Sequence, residues 1–165
     1  MRNKNKFLIC HDLFGKKKKF QESKISFRPS VYGLLFLGDK ILLCPQWDGY
    51  DMPGGGIKIG ESIEQALKRE FKEETGLTVD VGKLVYAGHD LFIKVNSKKP
   101  IHGILLYYLV KNPRGKVSTK YLDDFEKNYV KKSEWVSVKR INKVKFYNPV
   151  NNPRLIKLAL KEDKQ

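Results

Sequence analysis

Glu70, Glu73 and Glu74 crowd the last two turns of a segment whose pattern predicts a helix over residues 63–75. Acids are out of place there. A helix C-terminus carries partial negative charge, so each acid costs about a few tenths to one kcal/mol, and Glu70 with Glu74 is a repulsive i, i+4 pair. At about 100° per residue the three carboxylates lie within an arc of about 100° and can converge on one point beside the helix. Hard oxygen donors in such a cluster suit Mg²⁺ or Mn²⁺, which keep coordination positions open for water and a substrate phosphate. Arg69, four residues before Glu73, can orient that carboxylate through a charge-assisted hydrogen bond. On spacing alone, a solvated acidic face is the competing reading.

The segment before the helix separates these readings. Residues 55–77 run Gly55-x5-Glu61-x7-Arg69-Glu70-Phe71-x-Glu73-Glu74-x-Gly76-Leu77. This resembles the signature of the Nudix hydrolases, GX5EX7REUXEEXGU, at every fixed position, and so many specified positions are far harder to meet by chance than a lone glycine motif. Phe71 departs softly from the aliphatic residue usual in that family. Outside the box, a preceding hairpin, Tyr50 three residues before Pro53, and Glu134-Trp135-Val136 are also similar to the family. The resemblance implies an α/β/α sandwich with a mixed β-sheet between helices, and cleavage of a nucleoside diphosphate linked to another moiety. By position it implies Glu70, Glu73 and Glu74 as metal ligands with the Gly55 carbonyl as a further one. Glu61 would support the loop or bind a second ion.

The physical account agrees with that implication. A diphosphate resists attack because its oxygens are negative, and divalent ions neutralise that charge and lower the pKa of a bound water. A carboxylate then takes the proton. Glu73, Glu74, or an acid of the loop holding Asp123, Asp124 and Glu126 could serve as that base. Arg28, at the mouth of the first strand, is the candidate for phosphate positioning. Tyr50, Trp47, Phe92 and Tyr147 each have a flat face that could stack on a base, with core packing as the alternative. His11, His89 and His102 lack paired ligand spacing and read as structural. No Pro stands about fifteen residues beyond the box and no Tyr slightly further on, where Leu91 and Ile93 lie instead, so markers that the family associates with ADP-ribose and dinucleoside polyphosphates are missing.

Several elements must position these residues. Val31–Leu37 and Ile41–Cys44 flank Gly38-Asp39 and predict a hairpin. Gly54, Gly55 and Gly56 after Pro53 predict a loop with unusual backbone freedom. Ser62 and Gln65 have capping-box spacing, Ile63, Leu67 and Phe71 make an apolar stripe, and Gly76 supplies a left-handed stop. Thr78–Tyr86, Asp90–Val95 and Ile101–Val110 read as strands separated by turns, Glu134–Val138 as a short strand, and Pro153–Lys161 as a helix. Residues 1–27 form an N-terminal extension within the same domain, with a potential hairpin, and residues 28–165 the main domain. The run Lys16–Lys19 reads as a solvated turn.

The chain has 165 residues, 41% of them hydrophobic, which is enough for one domain with an enclosed core and excludes wholesale disorder. Its formal charge of +15 favours anionic partners: phosphates, nucleotides or nucleic acid. Cys10 and Cys44 make neither a disulfide framework nor a zinc motif. After Arg2, Lys4 and Lys6, the apolar run Phe7–Cys10 is too short for a signal peptide, and no stretch approaches the roughly twenty residues of a membrane span. These features predict a cytoplasmic protein, monomer or homodimer, with a nucleotide substrate and no membrane partner. The alternative reading is a non-catalytic nucleotide-sensing or RNA-binding module of the same fold, though such a module gains nothing from negative charge gathered at its pocket.

Overall fold

The computed structural model describes residues 6–164; Arg2 and Lys4 lie outside the described residues. The chain runs β1 (Phe7–His11), β2 (Lys17–Gln21), β3 (Ser26–Leu34), β4 (Phe36–Leu37), β5 (Lys40–Gln46), β6 (Gly49–Asp51), β7 (Gly54–Gly56), α1 (Ile63–Thr75), β8 (Thr78–Ile93), β9 (Pro100–Arg114), β10 (Glu134–Ser137) and α2 (Asn152–Asp163). Six strands form one mixed sheet in the order β2-β1-β8-β9-β3-β7, and a smaller sheet pairs β10, β5 and β4. β3 runs parallel to β9 from Ser26 to Leu34, whereas β8 and β9 are antiparallel.

Strand alternation divides the core between the two faces of the large sheet. Val31, Leu35, Val79 and Val110 meet Ala66, Leu67 and Phe71 of α1 on one face. Leu34, Leu105, Tyr107 and Leu109 meet Leu155, Ile156 and Ala159 of α2 on the other. A mixed α/β fold with helices on both sides of the sheet results, as the family resemblance implies. Phe71 is fully buried. It fits because β3 opposes it with Gly33, where a Cβ would come within 2.7 Å of the Phe71 ring.

α1 begins and ends where its capping residues predict. Ser62 Oγ accepts the Gln65 amide at 3.1 Å, Gln65 Oε1 accepts the Ser62 amide at 2.9 Å, and Gly76 closes the helix at φ 78°. Four elements differ from expectation. Gly54–Gly56, expected as a loop, is the short strand β7, because its backbone pairs with Tyr32, Val31 and Ser30 of β3. Residues 78–93 make one long strand, bulged between Val81 and Tyr86, because Ala87, Gly88 and His89, where a turn is expected, stay in register with Leu106, Leu105 and Ile104 of β9. The expected first hairpin is divided, with β3 in the large sheet and β4 crossing to pair β5 in the small one. Lys17, Lys18 and Lys19 lie in strand β2 rather than in a turn, since pairing with β1 satisfies their backbone while their side chains stay exposed. The β1–β2 hairpin joins the large sheet through His11 opposite Phe92. Among the described residues, no helix is long and apolar enough to cross a membrane.

Candidate active site

Arg69 organises the loop before α1. Its Nε donates to Glu61 Oε1 at 2.6 Å, Nη2 to Glu61 Oε2 at 2.9 Å and to the Gly56 carbonyl at 3.1 Å. Its Nη1 reaches Glu70 Oε1 at 2.7 Å and Glu73 Oε2 at 3.0 Å. A planar fork can make these bonds together, where a lysine ammonium could not. The Arg69 bonds, with the Lys58 amide, hold the Glu61 carboxyl down to about 2. Glu61 therefore acts in this structure as the anchor between loop and helix.

Glu70 and Glu74 present the opposite electrostatics. Burial pushes the Glu70 carboxyl up against the opposing pull of Arg69, with Glu73 adding to the rise. Burial also lifts Glu74 well above the usual carboxylate range, opposed by the Gly54 amide and reinforced by Glu70, Glu126 and Asp51. That amide donates to Glu74 Oε2 at 2.8 Å. β7 lies hard against these side chains because it has none of its own. A Cβ on Gly55 would stand 2.7 Å from the Glu70 carboxylate, and one on Gly56 would overlap the Arg28 guanidinium.

The donor chemistry fits a hard divalent cation. Three carboxylates on adjacent turns, two of them costly to ionise where they stand, face a glycine backbone that leaves carbonyls approachable. Among the described residues they do not already stand as a ready-made ion cage. Arg69 draws Glu70 and Glu73 to itself while Glu74 turns to Gly54, so ligation requires side-chain rotation.

A cavity of about 570 Å³ opens over this cluster. The structure brings Arg28, Gly55, Arg69, Glu70, Glu73, Glu74 and Glu126 to its wall, together with Trp47, Phe92 and Tyr147. Glu126 is lifted by burial, against the Asp123 amide, and feels Asp123, Glu70 and Glu73. Three expected residues are off the wall. Glu61 is bound to Arg69 and the Lys58 amide instead. Asp124 is fully exposed and paired with Lys127. Tyr50 is not on the wall; its hydroxyl donates to Glu134, because alternation along β6 turns Asp51, its neighbour, toward the cavity instead.

Sequence reasoning did not single out Asp51, Asn148, Asp90 or Tyr129, and it read His11 as structural. Asp51 is held by Gln46 Nε2 at 2.7 Å and by the Asn148 amide at 3.2 Å, and burial raises its carboxyl to about 7. The Asn148 Nδ2 donor is buried beside the Tyr32 hydroxyl, which its side chain meets. Trp47 stacks on Tyr129 with centroids 4.2 Å apart and meets Tyr147 edge-on. His11 Nε2 meets Asp90 Oδ1 at 2.8 Å. These residues come from five separate regions of the chain, so the only available signal was the strand alternation of Asp51.

The NUDIX domain family description matches residues 26–158. The chain belongs to the NUDIX family. This NUDIX chain is 34% identical over 84 residues to the ADP-ribose pyrophosphatase of Methanocaldococcus jannaschii, a stretch covering 46% of this chain and 50% of that protein. It thus spans about half the length of that relative. It is 32% identical over 109 residues to the 8-oxo-dGTP diphosphatase of Escherichia coli, covering 66% of this chain and 72% of that one. In fold it is similar to the MutT protein of Bacillus halodurans, with TM-score 0.61 and 20% identity over 79% of this chain and 80% of the other. The family typically uses a divalent metal.

Proposed function

We propose that this chain is a divalent-metal-dependent pyrophosphohydrolase that cleaves a phosphoanhydride bond of a nucleotide. One observation carries the reading: buried Glu70, part-buried Glu74 and Glu73 line one cavity with Arg28, Trp47, Phe92 and Tyr147. Carboxylates alone would repel a diphosphate. Glu70, Glu73 and Glu74, with the Gly55 carbonyl, would hold Mg²⁺ or Mn²⁺, whose bound form neutralises phosphate charge and acidifies water.

The chain's own residues supply the rest. Arg28 orients a non-bridging phosphate oxygen by charge-assisted bonding. Arg69 keeps Glu61 and the glycine loop in register with α1. Glu126 accepts the proton of the attacking water, since it lines the cavity beside the acids of α1 and burial favours its protonated form. Water's oxygen forms the new bond to phosphorus, the anhydride P–O bond breaks, and the leaving phosphate oxygen takes the electron pair. Trp47, Phe92 and Tyr147 offer faces for the base, and Asp51 with Asn148 offers polar groups for its edge. The relatives' named substrates, ADP-ribose and 8-oxo-dGTP, support a nucleotide with a pyrophosphate link.

A nucleotide panel assayed with Mg²⁺ or Mn²⁺ tests this. Glu73→Gln and Glu74→Gln should each lower kcat by about a hundredfold or more while the fold persists by circular dichroism, and a chelator should abolish turnover. Undiminished activity in both variants, or no turnover of any nucleotide, refutes the reading.

A further inference from the structure

The cavity wall does not end at the NUDIX-matched residues. His11, Asp12 and Leu13, at the tip of the β1–β2 hairpin, line it alongside Asp90, Phe92 and Lys94. The hairpin continues the cavity-bearing face of the sheet outward. His11 stands opposite Phe92 across β1–β8, so alternation puts Ile9 and Phe7 on the same face as His11. Across β1–β2, Lys17, Lys19 and Gln21 lie directly opposite His11, Ile9 and Phe7, again on that face.

The burial of this hairpin is inverted. Cys10, on the inner face, is fully buried, while Phe7 and Ile9 on the outer face are 56% and 52% exposed, and Phe14 at the tip is 82% exposed. Lysines on an edge strand discourage sheet-to-sheet aggregation, but that need does not account for apolar side chains left uncovered beside them. Flat and apolar groups interleaved with lysines on an open sheet face are what a single polynucleotide strand uses: bases lie on the former, phosphates on the latter. The acids at the junction are occupied. Asp90 pairs with His11, and Asp12 accepts the Phe14 and Lys16 amides at 2.9 Å each. Lys94 and Arg28 extend the positive track into the cavity.

We infer that the outer face of the β1–β2 hairpin binds a single-stranded nucleic acid whose 5′-terminal phosphates enter the cavity, so that the substrate class is a 5′-polyphosphorylated oligonucleotide. This rests on the pyrophosphohydrolase reading for its chemistry but not for its binding. Over four strand spacings, from β3 to β2, the track is about 19 Å wide.

The test compares the full chain with a Lys17→Glu/Lys19→Glu variant and a Phe7→Ser/Ile9→Ser variant. The probes are a 5′-triphosphorylated RNA of about ten nucleotides and the matching nucleoside triphosphate. Fluorescence anisotropy should show the charge-reversed variant binding RNA at least about tenfold more weakly, with the slope of log affinity against log salt shallower by about 1.4. Turnover of the nucleoside triphosphate should be unchanged. Equal RNA affinity and salt slope in wild type and variants overturns the track while leaving the enzymatic reading intact. Lysine-dependent RNA binding with no turnover of either probe supports the track and removes the enzymatic reading. A wild-type dimer that Phe7→Ser/Ile9→Ser dissociates in sedimentation overturns the track, because a second copy then covers the face.

Discussion

Arg69 carries more of the site's geometry than any one carboxylate, since it links Glu61, the Gly56 carbonyl, Glu70 and Glu73 from one guanidinium. Arg69→Lys keeps the charge and loses the fork. Activity and divalent-metal affinity should each fall about ten- to a hundredfold, the range for groups that orient metal ligands, as measured by turnover and Mn²⁺ titration. Asp51 allows a different test. Its folded carboxyl holds a proton up to about pH 7, where the ordinary value is 3.8, because burial disfavours the ionised form. Between those values the folded chain binds the proton and the unfolded chain has released it, so rising pH across that window lowers stability. Asp51→Asn should therefore leave Tm nearly unchanged at pH 4 and raise it at pH 8.

At the scale of elements, α1 is held by two kinds of agreement. Its caps are local and were legible in the sequence, because Ser62, Gln65 and Gly76 act on backbone groups within a turn of themselves. Its seat on β3 is not local. Phe71 occupies the space that Gly33 leaves, and nothing in their separation along the chain announces the pairing. Gly33→Ala should destabilise the fold by about 1–3 kcal/mol through overpacking. Adding Phe71→Leu should recover most of that loss, a coupling measurable in a denaturant double-mutant cycle. The strand over 78–93 makes the complementary point: Gly88 reads locally as a turn, yet pairing with Leu105 of β9 keeps it in the ladder, so two predicted strands are one.

For the whole molecule, the tie between the N-terminal hairpin and the sheet is electrostatic as well as hydrogen-bonded. The His11 ring is opposed by two acceptors, the Asp12 carbonyl at 3.0 Å and the Asp90 carboxylate. Burial draws its pKa down, but the Asp12 carbonyl and Asp90 outweigh burial and raise it above 6.5. Stability from a raised histidine is full below about pH 6.5 and is lost as pH rises through the folded value. His11→Ala should consequently lower Tm more at pH 6 than at pH 9, as thermal denaturation would record. We regard residues 1–27 as part of the same unit as residues 28–165, a proposal that this pH dependence also probes. The sequence by itself determined the box, α1 with its caps, the mixed α/β class and the acids Glu70, Glu73 and Glu74, because periodicity, capping and motif spacing act over a few residues. Only the tertiary structure decided that Asp51 and not Tyr50 faces the cavity, that Glu126 and not Asp124 joins the acids, and that His11 completes the wall. Those choices depend on which strand faces meet after the sheet has formed, and contacts between distant segments leave no local period to read.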